Sequence, residues 1–226
     1  MLSYWIIFGA FVLLSYIASS TLKRRFKKYS KIPSPNGMTG KDAASQMLKS
    51  HGIYDVKIEP TQGHLSDHYN PTTKTVRLSE AVYYGNNIAS LAIAAHECGH
   101  AVQHAKAYAW LTMRSQLVPM VEFSSRWMHW VILAGFLLIN TFPQLLLAGI
   151  VLFAITTLFS FITLPVEIDA SRRALVWLRD AGITNKDTHH KAESALRSAA
   201  YTYVVAALGS LATLAYYLMI YLGADD

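Results

Sequence analysis

Four apolar runs constrain this chain more than anything else in it. They are Leu2 to about Ser20, Pro119 to Ile139, Phe142 to Leu164 and Ala200 to Leu222. Each approaches the roughly 20 residues that a helix needs to cross a bilayer. Backbone polar groups have no water to bond inside lipid, so such runs must be helices. The sequence predicts a mainly α, integral membrane protein with about four transmembrane helices. Only 15% of the 226 residues are charged, against about a quarter in an ordinary soluble domain. The net charge of +6 would suit nucleic acid, but its distribution argues against that partner. All 20 Lys and Arg lie in residues 21–118, in 165–199, or at Arg126. This is the positive-inside pattern. It places both segments in the cytoplasm and both termini outside, in a multi-pass protein of the cell membrane. The cluster Lys23-Arg24-Arg25-Phe26-Lys27-Lys28 follows the first apolar run instead of preceding it. That order marks an uncleaved anchor, not a signal peptide. The run starting at Pro119 is imperfect, with Glu122, Arg126 and His129 near its start. Glu122 and Arg126 are four apart and can pair on one helix face.

Between the first and second runs lies His96-Glu97-Cys98-Gly99-His100, inside a stretch from Ile88 to His104 that reads as a helix. Residues four apart share a helix face, so His96 and His100 can offer two imidazoles to one metal ion. Glu97 lies beside that face. Zn²⁺ brings the pKa of a bound water to about 7, and a carboxylate there takes its proton. The spacing is that of a metalloprotease helix. Cys98 is the only cysteine, which excludes an intrachain disulfide; it reads as small packing filler.

The polar segments predict a small α+β, zincin-like cytoplasmic catalytic layer. Lys31 to Asn36 is a Pro-rich linker. Thr39-Gly-Lys-Asp42 is a capping-box start for a helix to about Ser50. Asp55 to Glu59 alternates as a short strand. Leu65–Tyr69 and Lys74–Leu78 flank a polar turn as a hairpin. An exposed edge strand there would hold an extended peptide by main-chain pairing. Past His104 the amphipathic pattern continues to about Arg114. Pro165 suits the first turn of a short polar helix ending at Ala181. Thr184-Asn-Lys-Asp187 looks like the cap of the last long helix. The division expected is 1–22 anchor, 23–118 catalytic layer, 119–164 membrane hairpin, 165–199 cytoplasmic helices and 200–226 last span.

A catalytic zinc takes a third protein ligand and keeps one position open. A metzincin pattern would need a histidine six residues after His100 and a glycine three after it. Lys106 and Gln103 stand there instead. His104 is too far along the helix to share the ion and reads as a polar histidine. The carboxylate candidates are Glu122, Glu167, Asp169 and Glu193. Glu167 is preferred, because a carboxylate so near an apolar run needs a partner and a metal would be one. Glu122 is the runner-up, and Asp169 points elsewhere on a helix. Donors for a developing oxyanion would come from His104, Arg172, Arg173, His189, His190 or Tyr201.

The chain resembles the YugP-type family of membrane neutral zinc metallopeptidases. The resemblance rests on the N-terminal anchor, His68-Tyr-Asn-Pro71, the His96–His100 helix and Pro165-Val-Glu-Ile-Asp-Ala-Ser-Arg-Arg-Ala174. More distantly it is similar to HtpX-type and CAAX prenyl proteases, which carry a Glu-x-x-x-Asp helix after two spans. Carried over by position, this implies zinc ligands His96, His100 and Glu167, with Glu97 as base. Ser171 departs from that pattern, for the wider group has Asp there, supporting a zinc-bound histidine.

The expected function is therefore a zinc endopeptidase of the HExxH-plus-Glu type at the cytoplasmic face. Its substrates would be peptides or membrane proteins, its other partner the lipid bilayer, and assembly as a homo-oligomer is compatible with polar groups in the second span. The alternative is a non-catalytic zinc-binding scaffold, which would not need Glu97.

Overall fold

The computed structural model describes residues 2–63 and 65–223, with side chains from residue 6 onward. The tail Ala224-Asp225-Asp226 lies outside the described residues. Among the described residues are seven α-helices, one of them only four residues long, and three strands. In chain order they are α1 (Leu2–Tyr29), α2 (Gly40–Ser50), β1 (Lys57–Thr61), β2 (His68–Asn70), β3 (Thr75–Ser79), α3 (Glu80–Tyr83), α4 (Ile88–Ala105), α5 (Ala109–Leu137), α6 (Gln144–Asp180) and α7 (Lys186–Gly223).

The described residues are mainly helical, with one small sheet and three helices long and apolar enough to cross a membrane: Ile6–Tyr29, Gln144–Asp180 and Lys186–Gly223. The run expected as the second span falls on α5. That helix does not reach the same apolarity, because Glu122, Arg126 and His129 interrupt it.

The chain divides into two compact units. Unit 1 comprises Met1–Ile17, Thr112–Leu164 and Thr202–Asp226. Its interior is built from Ile132, Leu146 and Ile150, with Phe136, Phe153, Leu214 and Tyr217 packed against them. Tyr217 takes the edges of both Phe136 and Phe153, each at 5.7 Å between ring centroids. Gly135 and Gly149 let α5 and α6 approach closely. A Cβ at Gly135 would lie 2.5 Å from Leu146 Cα, and one at Gly149 would lie 2.6 Å from the Ile132 side chain.

Unit 2 comprises Ala18–Leu111 and Pro165–Tyr201. Its core joins Ala43, Ala44, Met47 and Leu48 of α2, Val76 and Leu78 of β3, and Leu91, Ala95, Cys98 and Val102 of α4. Ala174, Trp177 and Leu178 of α6 and Leu196 of α7 complete it. Helix α2 starts as expected. The Thr39 side chain accepts from the Asp42 backbone, and the Asp42 carboxylate accepts from the Thr39 backbone, a complete capping box.

The sheet order is β1-β3-β2. The hairpin forms, with β2 antiparallel to β3, but its first strand is only His68–Asn70. The expected strand at Asp55–Glu59 sits two residues later, at Lys57–Thr61, and pairs parallel to β3. Both β1 and β2 are edges. Pro60 leaves β1 without one of its donors.

Two local expectations are corrected, and the stretch past His104 is resolved into its elements. The polar helix thought to begin at Pro165 is not a separate helix, since α6 runs unbroken through Pro165. Apolar packing on both sides, with Ile162 and Val166 buried, outweighs the missing N–H. The amphipathic stretch past His104 spans parts of two helices. Helix α4 stops at Ala105, Ala107 takes a left-handed φ of 48°, and α5 begins at Ala109. Last, the cap of α7 is Asn185 in place of Thr184. Asn185 Oδ1 accepts from the Thr188 backbone, and Thr188 Oγ1 accepts from the Asn185 backbone, each at 2.9 Å.

Candidate metal centre

Helix α4 begins at Asn87, whose side chain accepts from the Ser90 backbone at 3.0 Å. It is buried almost throughout. His96 and His100 project from one face, their rings 4.9 Å apart and nearly perpendicular. Helix α6 delivers Glu167 to the same point. Its Oε2 lies 3.3 Å from His96 Nε2 and 3.7 Å from His100 Nε2. One ligand atom from each of the three residues falls within 4.8 Å of the others. Two donors each about 2.1 Å from a tetrahedral zinc stand roughly 3.4 Å apart. The spacing, the two-imidazole, one-carboxylate chemistry and the low exposure of all three side chains fit a zinc ion.

Gly99 makes this meeting possible. A Cβ there would lie 2.6 Å from the carbonyl oxygen of Ala170, so only glycine lets α6 pass this close to α4. Cys98, on another face of α4, packs in the core with its thiol 3.6 Å from the Ala44 carbonyl oxygen. Burial pushes its pKa up, so it stays a thiol and no metal ligand.

Each histidine is backed on its other nitrogen. Ser171 Oγ is 3.0 Å from His96 Nδ1. Gln103 Oε1 is 3.0 Å from His100 Nδ1. Gln103 is fully buried, and its amide NH₂ donates to the Val166 carbonyl and to Asp169 Oδ2, both at 2.8 Å. Sequence reasoning missed Gln103. The available signal was its place one turn after His100, where a metal-bound imidazole needs an acceptor for its free N–H.

Glu97 is 8% exposed, and no hydrogen bond ties its carboxylate to another described residue. Burial raises its pKa; the nearby His96 and His100 oppose that rise, and Glu167 and Asp67 add to it. Burial disfavours a charged His100. The Glu167 hydrogen bond, the Glu97 charge and Gln103 outweigh it, so the His100 pKa is raised in the metal-free protein. Asp67 also clamps Ser79, accepting from its backbone N–H at 2.7 Å and from its hydroxyl at 3.0 Å.

The remaining candidates lie elsewhere. Asp169 accepts from Arg173 at 2.5 Å as well as from Gln103. Glu122 is in unit 1. Glu193 faces exposed His190 at 3.8 Å. His104 Nδ1 is 2.8 Å from the Tyr69 hydroxyl on β2. Burial, then the Asp55 charge, push the Tyr69 pKa up to about 12, so the phenol keeps its proton. His189 contacts Thr184, and Arg197 covers the Tyr201 ring at 5.8 Å. Arg172 is exposed.

The profile of a family described as "Putative neutral zinc metallopeptidase" matches residues 4–222. The "Putative membrane protease YugP" of Bacillus subtilis (strain 168) is 42% identical over 213 residues, covering 94% of each chain. No solved structure matches the chain. By the extent of both matches, this chain belongs to the neutral zinc metallopeptidase family.

Proposed function

We propose that the protein is a multi-pass membrane endopeptidase of the HExxH-plus-Glu type. It would hold zinc on His96, His100 and Glu167 and use Glu97 as general base. The observation that carries this reading is the convergence of the three donors within 4.8 Å, with the buried carboxylate of Glu97 beside them. When bound, zinc supplies Lewis-acid polarisation of a scissile carbonyl and of a water. Glu97 takes the proton from the attacking water and passes it to the leaving amine. Glu167 contributes the one negative charge among the ligands, and Gln103 and Ser171 keep the imidazoles turned toward it.

An extended substrate would pair with β2. That edge strand carries Tyr69, which reaches His104 one turn beyond His100, whereas β1 is blunted by Pro60. The substrates would be peptides or membrane proteins with an extended segment. The exposed apolar side chains of unit 1, among them Val12, Leu13, Trp130 and Leu158, suit lipid contact. The fourth span would be α5, its Glu122 and Arg126 paired at the interface. Residues 23–118 and 165–199 would form a zincin-like cytoplasmic layer, and 1–22, 119–164 and 200–226 the membrane part. The placing of every Lys and Arg supports that orientation, with both termini outside.

The test compares detergent-purified parent with Glu97→Gln. Zinc in both, with peptide hydrolysis only in the parent, is the expected result; the loss of rate is on the order of 10²-fold or more. Zinc in both without hydrolysis by either would favour a zinc-binding scaffold. Neither binding zinc would end the reading.

A further inference from the structure

The hydrogen bonds behind His100 determine which of its nitrogens is free. Gln103 is completely buried, and its amide has two ends that are not interchangeable here. One end faces the Val166 carbonyl oxygen and Asp169 Oδ2, each at 2.8 Å. A carbonyl and a carboxylate only accept, so that end must be the NH₂. The other end, at 3.0 Å from His100 Nδ1, must then be the amide oxygen. An oxygen acceptor requires an N–H, so Nδ1 carries hydrogen and Nε2 is left to face Glu167 at 3.7 Å. Asp169 is itself held on its own helix by Arg173, whose Nε donates to the same Oδ2 at 2.5 Å. The guanidinium lies 5.7 Å from the centre of the Tyr108 ring.

No such logic fixes His96. Its partner is the Ser171 hydroxyl, which can donate or accept.

We propose that Gln103 and Asp169 are positioning residues that lock His100 in the Nδ1–H tautomer, so that its Nε2 is ready for the metal before the metal arrives, while His96 is left to adjust. This rests on the reading of His96, His100 and Glu167 as a zinc site. Asp169 stays one residue removed from the imidazole, and the direct acceptor is neutral. The ligand is oriented without a second carboxylate charge next to it. The raised pKa of His100 does not disturb the argument, because Nδ1 carries hydrogen in either charge state.

The experiment measures zinc affinity by chelator competition in the full-length protein, parent beside Gln103→Leu and Asp169→Asn. Gln103→Leu should lose about 10- to 100-fold in affinity, the range for removing a partner of a metal-bound histidine. Asp169→Asn touches neither histidine and is partly exposed. It replaces the charged one of the two acceptors that orient the Gln103 amide and leaves the Val166 carbonyl, so affinity should fall several-fold while the melting temperature of the zinc-free protein stays put. If Gln103→Leu fails to fold, Asp169→Asn decides. Nitrogen NMR of the histidine rings at high pH adds a readout of its own: the His100 signal, assigned by its loss in His100→Asn, is in pure Nδ1–H form in the parent and gains an Nε2–H fraction in Asp169→Asn. Parent that binds zinc beside variants that match it within twofold would overturn the positioning role alone. Parent that binds no zinc would overturn the metal centre and this inference with it.

Discussion

Gly99 on α4 and Ala170 on α6 meet backbone to backbone: a Cβ on Gly99 would stand 2.6 Å from the Ala170 carbonyl oxygen and 3.0 Å from its Cα. Three residues before Ala170, on the same face of α6, Glu167 reaches the two histidines. The glycine between the histidines thus sets how near the third donor can come.

Gly99→Ala tests that relationship. Helix propensity alone would favour alanine by about 1 kcal/mol. Overpacking against a backbone oxygen costs about 1–3 kcal/mol and must push the helices apart. The expected outcome is weaker zinc binding, read by chelator competition, whatever the net change in melting temperature. Unchanged affinity would show that the approach at Gly99 does not govern the site.

Glu167 and Glu193 were both carboxylate candidates, and the structure separates them. Glu167→Gln should abolish stoichiometric zinc retention after dialysis against a weak chelator. Glu193→Gln, at an exposed contact with His190, should retain zinc like the parent. Metal analysis of the purified variants checks both at once.

Ser171→Asp replaces a hydroxyl beside His96 Nδ1 with a carboxylate. A charged acceptor raises the basicity of the imidazole, so zinc should bind more tightly, by about tenfold. Slower zinc loss to a chelator than in the parent is the expected observation. Faster loss would mean that the Ser171 contact does not back a metal ligand.

The capping box of α2 predicts a pH effect away from the site. Thr39 hydrogen bonds, first from its side chain and then from its backbone, hold the Asp42 pKa below the usual carboxylate value. A depressed folded pKa contributes stability above the unfolded pKa, near 3.9, and loses it as pH falls through the folded value. Asp42→Ala should therefore lower the thermal transition at pH 7, by an amount corresponding to about 1 kcal/mol. The gap should close toward pH 3. A gap that persists at low pH would assign the loss to packing instead.

The legible parts of the sequence were those governed by neighbours along the chain. His96 and His100 share a face because four residues make about one helical turn, and the Thr39–Asp42 box closes within a single turn. The apolar runs were legible because lipid leaves a backbone few options. Pro165 was misread for the opposite reason: the local rule that proline opens a helix was outweighed by burial of Ile162 and Val166 on either side of it. The strand order was hidden as well, because β1 pairs with β3 across the intervening β2, and hydrophobic alternation carries no record of partner.

By itself, then, the sequence determined a helical, membrane-type chain with two histidines and a glutamate on one helix, since periodicity and hydropathy act at short range. The sequence preferred Glu167, and tertiary structure brings it, not Glu193, beside the two histidines. Tertiary structure also decided that Gln103 stands behind His100, bonded to Val166 and Asp169 more than 60 residues away. Those contacts depend on two helices crossing at a glycine, and only close packing in three dimensions specifies such a crossing.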